Sequence, residues 1–356
     1  MAITTNFDTA VLALVTDLVT ADNVDISKAI YMSTFEVGDI AEGHQIVTGI
    51  RPGALIPILD NSPNYAAFPV KASNNCVIPA CDLDLGFSTK AWETAMIACK
   101  IPICINSFDE NFLLFWNQHK RVFGDADLNS ALLQYIIDLF QNNLKAAIWR
   151  RVWFADSASA DDYLEGADGI FTQAEAMDGF KIVVTENTLG SGLTGAALYD
   201  YLTEAYEYAS VQPWWNPATA RFEMTQAMAA VLVSWLNSLG DKSLYNCECF
   251  SPDGVTAQRT FSINGQLRVF GVPVHIHREF DGVINAFALG NPYRAILTND
   301  SNILIGTTEL DQLPAFDIWY SKDDDQIYIK GGANVGAALV TNQYVYIGAE
   351  AASPSV

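Results

Sequence analysis

Residues 291–309, NPYRAILTNDSNILIGTTE, set an Asn-Pro turn, a short apolar run, a polar corner and a second apolar run one after another. Ala295–Leu297 and Ile303–Ile305 have the character of strands, and Thr298-Asn-Asp-Ser-Asn302 between them is made of turn formers. The reading is strand, tight corner, strand, with no evident catalytic residue. Outward from this stretch the chain stays β-rich. GQLRVFGVPVHIH precedes it, and AFDIWYSKDDDQIYIKGGANVGAALVTNQYVYIGAE follows it, with KDDDQ (322–326) as the turn of a hairpin.

Upstream the hydrophobic period changes. DLNSALLQYIIDLFQNNLKAAIWRRVWF (127–154) repeats Leu132, Leu133, Ile136, Ile137, Phe140, Leu144 and Ile148 on one helical face. Asp125 or Asp127 is placed to cap its start, and Lys145, Arg150 and Arg151 suit the negative end of its dipole. At about 1.5 Å per residue, such a helix is a rod about 40 Å long. A loop of small and acidic residues follows (156–169), then a strand FKIVV (180–184), a helix over 195–209, and a strand running into a second helix over 220–240. Before the long helix, residues 35–106 are dotted with Gly and Pro and alternate loosely, which predicts an extended hairpin excursion. At the N-terminus Phe7, Val11, Leu14, Val15, Leu18 and Val19 recur at helical spacing, giving a short amphipathic helix over 7–20. The order of elements predicts an α+β fold.

Composition narrows the function classes. The chain has 356 residues, half of them hydrophobic and only 17% charged, so it folds with an ample core. Nineteen basic against 41 acidic residues give a net charge of −22, and no Lys/Arg block exists to track phosphates along a nucleic acid. The N-terminal stretch carries Asp8 and Asp17 through its apolar part and lacks a basic lead, so it does not read as a signal peptide, and no apolar stretch reaches membrane-spanning length. The expectation is a protein made in the cytoplasm. Cys76, Cys81, Cys99, Cys104, Cys247 and Cys249 show no CxxC spacing and read as reduced, buried small side chains.

Three local motifs suggest chemistry, and each has a simpler structural reading. GSGLTG (190–195) matches a dinucleotide fingerprint, but Glu186-Asn-Thr-Leu189 separates it from the preceding strand and no acid follows at the required distance; a loop with Ser191 or Thr194 capping a helix explains it. HIHREFD (275–281), read as one strand, puts His275, His277, Glu279 and Asp281 on one side, and a metalloenzyme would use His275, His277 and Glu279; the alternative is a polar strand face. DADLNS (125–130) starts like a calcium loop but has Ser130 where Gly is required and Ile136 where the bidentate Glu belongs. No GxSxG is present. No enzyme emerges, and no cofactor is called for.

The succession of motifs is more informative than any one of them. FSINGQLRVFGVPVHIHREFD, leading into NPYRAILTNDSNILIGTTE and then FDIWYSKDDDQIYIKGGANVGAALV, resembles the C-terminal half of tailed-phage major capsid proteins of the Hong Kong 97-type fold. There a G-[IV]-P-V strand, an N-P-x-R-A-[IL]-[LF]-T strand with an N-[IL]-x-x-G return, and a closing W-Y-x-K-D-D-x-x-[VI]-Y hairpin follow one another. ACDLDLGFSTKAWETAMIACKIPICINSFDENFLLFW and AIWRRVWFADSASADDYLEGADGIFTQ are similar to the corresponding segments of crAss-like and related Bacteroidetes phages. The resemblance covers about residues 40–350, through element order and loose motifs.

That resemblance implies an N-terminal arm (1–35), an E-loop with its flanking strands (36–106), a P-domain (107–185) holding a spine helix over 127–153, an A-domain (186–295), and late strands (296–356) that return to the P-domain. It implies a virion protein, assembled in the host cytoplasm, whose partner is itself in the hexamers and pentamers of an icosahedral shell. A portal and scaffolding or decoration proteins are further implied partners, as is enclosed double-stranded DNA, held without sequence-specific binding, and no membrane. An encapsulin-like bacterial nanocompartment is the alternative with the same fold. Extended arm and loop segments on a lone monomer would not offset their ordering entropy. Laid across neighbours they would bury Phe7, Val11, Ile56, Ile58, Tyr65 and Phe68, the assembly-interface candidates, in obligate interfaces of about 2,000–5,000 Å2.

Overall fold

The computed structural model describes residues 44–59, 87–104, 128–185, 193–238, 260–263, 266–307, 317–321 and 326–348. The expected arm helix over 7–20, Asp125 and Asp127, the loop 186–192, the 322–325 turn and Cys76, Cys81, Cys247 and Cys249 lie outside the described residues. The fold is mixed α+β and divides into two compact units.

The first unit is built from residues up to Pro52, Glu93–Gly169 and Ile305–Ala337. Its helix α1 runs Leu128–Phe154, within a residue of the span expected from periodicity. Phe140, Leu144, Ile148 and Val152, four apart along one face, are all buried, as are Trp149 and Trp153, which stack at 6.2 Å. His44 meets both indoles edge-on, at 6.0 and 5.6 Å. Past the helix, Arg150 Nε donates to Tyr163 O at 3.1 Å, and the buried Arg151 guanidinium donates to the carbonyls of Leu164 and Glu165, clamping the following loop to the last helical turn. Gly169 lets that loop close: an added Cβ would sit 2.7 Å from the Trp153 carbonyl carbon.

A five-stranded sheet completes this unit. It joins β1 (Gln45–Val47), β4 (Thr94–Cys104), β11 (Ile303–Thr307), β12 (Asp317–Ser321) and β13 (Gln326–Leu339) in the order β1-β11-β13-β12, with β4 also on β13. β12 and β13 pair Ser321 with Gln326, the ladder expected on either side of the KDDDQ turn. β4 runs antiparallel to β13 over eleven residue pairs, from Thr94–Gly336 to Cys104–Gln326, and this places Cys99 and Cys104 on a sheet strand.

The second unit, Gly53–Trp92, Ile170–Leu304 and Ala338–Val356, contains a two-stranded hairpin and a seven-stranded sheet. The hairpin pairs β2 (Leu55–Leu59) with β3 (Phe87–Ala91), as the Gly/Pro-rich region foretold. The sheet orders β5 (Phe180–Val183), β14 (Tyr344–Gly348), β10 (Ala295–Asn299), β6 (Ala220–Thr225), β9 (Val272–His277), β8 (Gln266–Val269) and β7 (Thr260–Ile263) as β5-β14-β10-β6-β9-β8-β7. One face, with Phe222, Met224, Val274, Ala295, Leu297, Val345 and Ile347, shares its core with α3 (Gly195–Ser210) and α4 (Gln226–Ser238). On α3 the buried residues Leu198, Leu202, Ala205 and Ala209 keep helical spacing. Thr194 caps this helix, its Oγ1 accepting from the Ala197 amide, which is the capping reading of GSGLTG. α3 and α4 approach closely at Gly195, where a Cβ would stand 1.9 Å from the Trp235 Cβ.

The other face meets α2 (Ile170–Ala176) and α5 (Arg278–Ala286): Phe171 packs on Tyr346 and Phe280, and Phe280 stacks on His277. β8 and β9 are joined by Phe270-Gly271, both at positive φ (52° and 82°), as a two-residue hairpin turn requires. Contacts of the Phe270 ring with Tyr206 and Tyr199 hold this non-glycine residue in the left-handed region.

Residues 291–307 form a turn, a strand, a tight corner and a second strand. Asn291 takes φ +60°, and Arg294 reaches back to the carbonyls of Asn291 and Gly290, both at 2.9 Å, to close the Asn-Pro turn. β10 ends in a 3-10 turn, Asp300–Asn302, and β11 leaves for the other sheet. The buried Asn302 side chain ties this corner to the return loop: Nδ2 donates to Thr298 Oγ1 (2.9 Å), Gln343 O (3.2 Å) and Thr341 O (3.3 Å), while Oδ1 accepts from Thr341 N and Oγ1, both at 2.8 Å. The Asn and Thr of the motif are sheet-to-loop ties.

Candidate functional site

Two regions of the second unit can do more than hold the fold: the hairpin β2–β3 and a buried polar cluster on β6 and β9. In the hairpin the register pairs Leu55 with Ala91, Ile56 with Lys90 and Pro57 with Thr89. Alternation therefore makes two faces. Ile56 (7% exposed), Ile58 and Lys90 lie on the packed face; Leu55 (63% exposed), Pro57, Thr89 and Ala91 form the open one. Lys90 anchors the packed face, with Nζ donating to Gln173 Oε1 at 2.8 Å and Leu339 O at 2.7 Å. Of the six assembly candidates, Ile56 and Ile58 thus point toward the chain itself, and among the described residues the large apolar side chain exposed beside them is Leu55. Phe7, Val11, Tyr65 and Phe68 lie outside the described residues.

The polar cluster grows from β6, ARFEMT, in which every residue is buried. Phe222 and Met224 enter the apolar core, so Arg221, Glu223 and Thr225 share the opposite face. Parallel pairing sets Glu223 beside His275 and Thr225 beside His277. Glu223 Oε1 lies 2.5 Å from Arg221 Nε; Oε2 contacts His277 Nε2 and lies 3.9 Å from His275 Nδ1. Arg221 Nη1 continues to Asp300 Oδ1 at 3.1 Å, so one guanidinium joins both carboxylates. Burial raises the Asp300 pKa, an effect opposed by Arg221.

The expected strand HIHREFD is corrected here. β9 ends at His277 and α5 begins at Arg278, so Glu279 and Asp281 leave the strand face. The carboxylate that gathers with His275 and His277 is Glu223, 54 residues from His277. Asp281 instead accepts from the Ala227 amide at 2.9 Å and so caps α4 across the helix pair. The sequence signal for Glu223 was a charged pair at alternate positions, Arg221 and Glu223, within an otherwise apolar strand.

A second polar group closes the sheet's other end. Tyr346 Oη donates to Glu175 Oε1 at 2.5 Å, Arg294 lies 3.9 Å from the same oxygen, and Tyr344 Oη donates to Ala174 O (2.9 Å) and Met177 O (3.1 Å). Burial raises the phenol pKa of Tyr344 to about 12 and that of Tyr346 well above its ordinary value. Among the described residues no helix is long and apolar enough to cross a membrane.

No protein-family model matches the sequence, and no curated protein matches it. Solved structures do. A chain in the structure of Gordonia phage Cozz is 15% identical, with 88% of this chain and 86% of that chain covered at a TM-score of 0.52. A chain in the structure of the satellite phage P4 procapsid including size determination (Sid) protein is 14% identical, covering 91% and 92%, at a TM-score of 0.50. The α+β fold of this chain is therefore one found, almost end to end, in the structures of phage particles.

Proposed function

We propose that this chain is a major capsid protein, the repeating subunit of the icosahedral shell that encloses the double-stranded DNA of a tailed phage. The observation that carries the reading is reciprocal coverage: 91% of this chain aligns with 92% of a chain in a procapsid structure. The described architecture suits that role. The α1 rod serves as the spine helix of the peripheral domain. Strands β6–β9 with α3 and α4 serve as the axial domain, and β2–β3 forms the base of the E-loop. The open hairpin face, Leu55 with Pro57, Thr89 and Ala91, is the surface that a neighbouring subunit covers.

In this reading the protein works by tiling and has no catalytic site. Portal, scaffolding or decoration proteins would complete the particle. A net charge of −22 keeps the shell wall from gripping DNA, and mutual repulsion between subunits fades beyond a Debye length of about 8 Å. Sedimentation velocity tests the reading. The full chain is expected to form large, discrete assemblies, whereas a variant with residues 60–86 replaced by a short Gly/Ser link stays dispersed with an unchanged circular dichroism spectrum. A link variant that assembles like the parent would refute the E-loop assignment.

A further inference from the structure

We propose that Glu223, His275 and His277 form a structural binding site for a divalent metal ion that favours imidazole, with Zn2+ as the best fit. Their three ligand atoms lie within 4.8 Å of one another. Zinc takes imidazole nitrogen at about 2.0–2.1 Å and carboxylate oxygen at about 2.0–2.2 Å, so small side-chain rotations bring all three onto one ion. Two neighbouring strands supply the ligands, and the parallel register of β6 and β9 fixes them side by side.

The surroundings are those of a built site. Arg221 holds Glu223 Oε1, which leaves Oε2 directed at both imidazoles, and Phe280 stacks on His277 with ring centroids 4.4 Å apart. Thr225 Oγ1 is buried beside His277 with no hydrogen-bond partner among the described residues, and a water on the ion's fourth position would give it one. The His275 side chain is 28% exposed, so an ion can enter from that side. Bound there, the metal would staple two central strands of the seven-stranded sheet.

The test uses the full chain, stripped with a chelator and then dialysed against Zn2+ alone. About one ion retained per chain, with a raised thermal midpoint that Mg2+ does not reproduce, is the expected result; His275→Gln is expected to lose the ion. No retention by the parent would overturn the proposal, and so would equal retention by His275→Gln, because His44, His119 or the cysteines would then be the ligands. Co2+ gives a readout independent of any variant. A visible ligand-field band without thiolate charge transfer supports the His/Glu set, and a thiolate band overturns it.

Discussion

Replacing Asn302 tests whether the corner at the heart of NPYRAILTNDSN is held by one side chain. Asn302 is 6% exposed, its amide donates toward three acceptors, and its carbonyl accepts twice from Thr341. A net hydrogen bond contributes about 0.5–1.5 kcal/mol, and a buried partner left unsatisfied costs about 1–3 kcal/mol. Thr341 is only half-buried, so water takes part of the loss. Asn302→Ala should therefore destabilise the second unit by about 2–4 kcal/mol. Asn302→Asp keeps the acceptor for Thr341 but turns the donor into a carboxylate oxygen facing Thr298 Oγ1, Thr341 O and Gln343 O. It should cost at least as much at neutral pH. Its folded-state pKa is then raised, so stability should return as pH falls and the protonated carboxyl supplies one donor. Urea unfolding of the dispersed subunit, followed by circular dichroism, measures both. Variants within about 0.5 kcal/mol of the parent would refute the reasoning, leaving the Val340 amide bond to Asn302 O as the tie that matters.

Ile148 on α1 is fully buried, and Ile148→Asp should cost several kcal/mol, about 4 or more; an unchanged thermal midpoint would mean this face of the helix packs on nothing. Tyr344 is neutral in the folded chain up to a pKa of about 12, against an ordinary 10.0, so the stability it lends is complete below pH about 10 and is lost as pH rises through about 12. Tyr344→Phe should lose about 1–2 kcal/mol at neutral pH with its two hydrogen bonds, and should show a shallower alkaline loss than the parent. An identical alkaline profile would contradict this. Leu55→Glu, on the open hairpin face, should leave the unfolding midpoint within about 0.5 kcal/mol of the parent yet abolish assembly. Normal assembly would show that neighbours do not cover Leu55.

Elements with a strong local pattern could be read from the chain alone. The helix expected over 127–153 is Leu128–Phe154, and that expected over 195–209 is Gly195–Ser210, because apolar spacing and the Thr194 cap are local facts. The strand-corner-strand at 291–309 was equally plain, but the destination of each strand was not. β10 and β11 enter different sheets, and nothing within nineteen residues encodes that. HIHREFD misled for a related reason. Alternation predicted one strand through Asp281, whereas Phe280, Val283 and Ile284 bury a helical face and draw the chain into α5 directly after His277. The Glu223–His277 contact spans 54 positions and depends on the β6–β9 register, a property of tertiary pairing. The buried Arg221 was similarly hidden, since a charged residue in a strand usually marks a solvated face.

Electron cryomicroscopy of the purified full chain, expressed alone and kept at native salt, tests the central claim most directly. The account predicts closed shells, curved sheets, or rings of six and five subunits, with the Leu55 face of the hairpin covered by a neighbour. Dispersed single subunits at every concentration tried, with that face open to solvent, would contradict it.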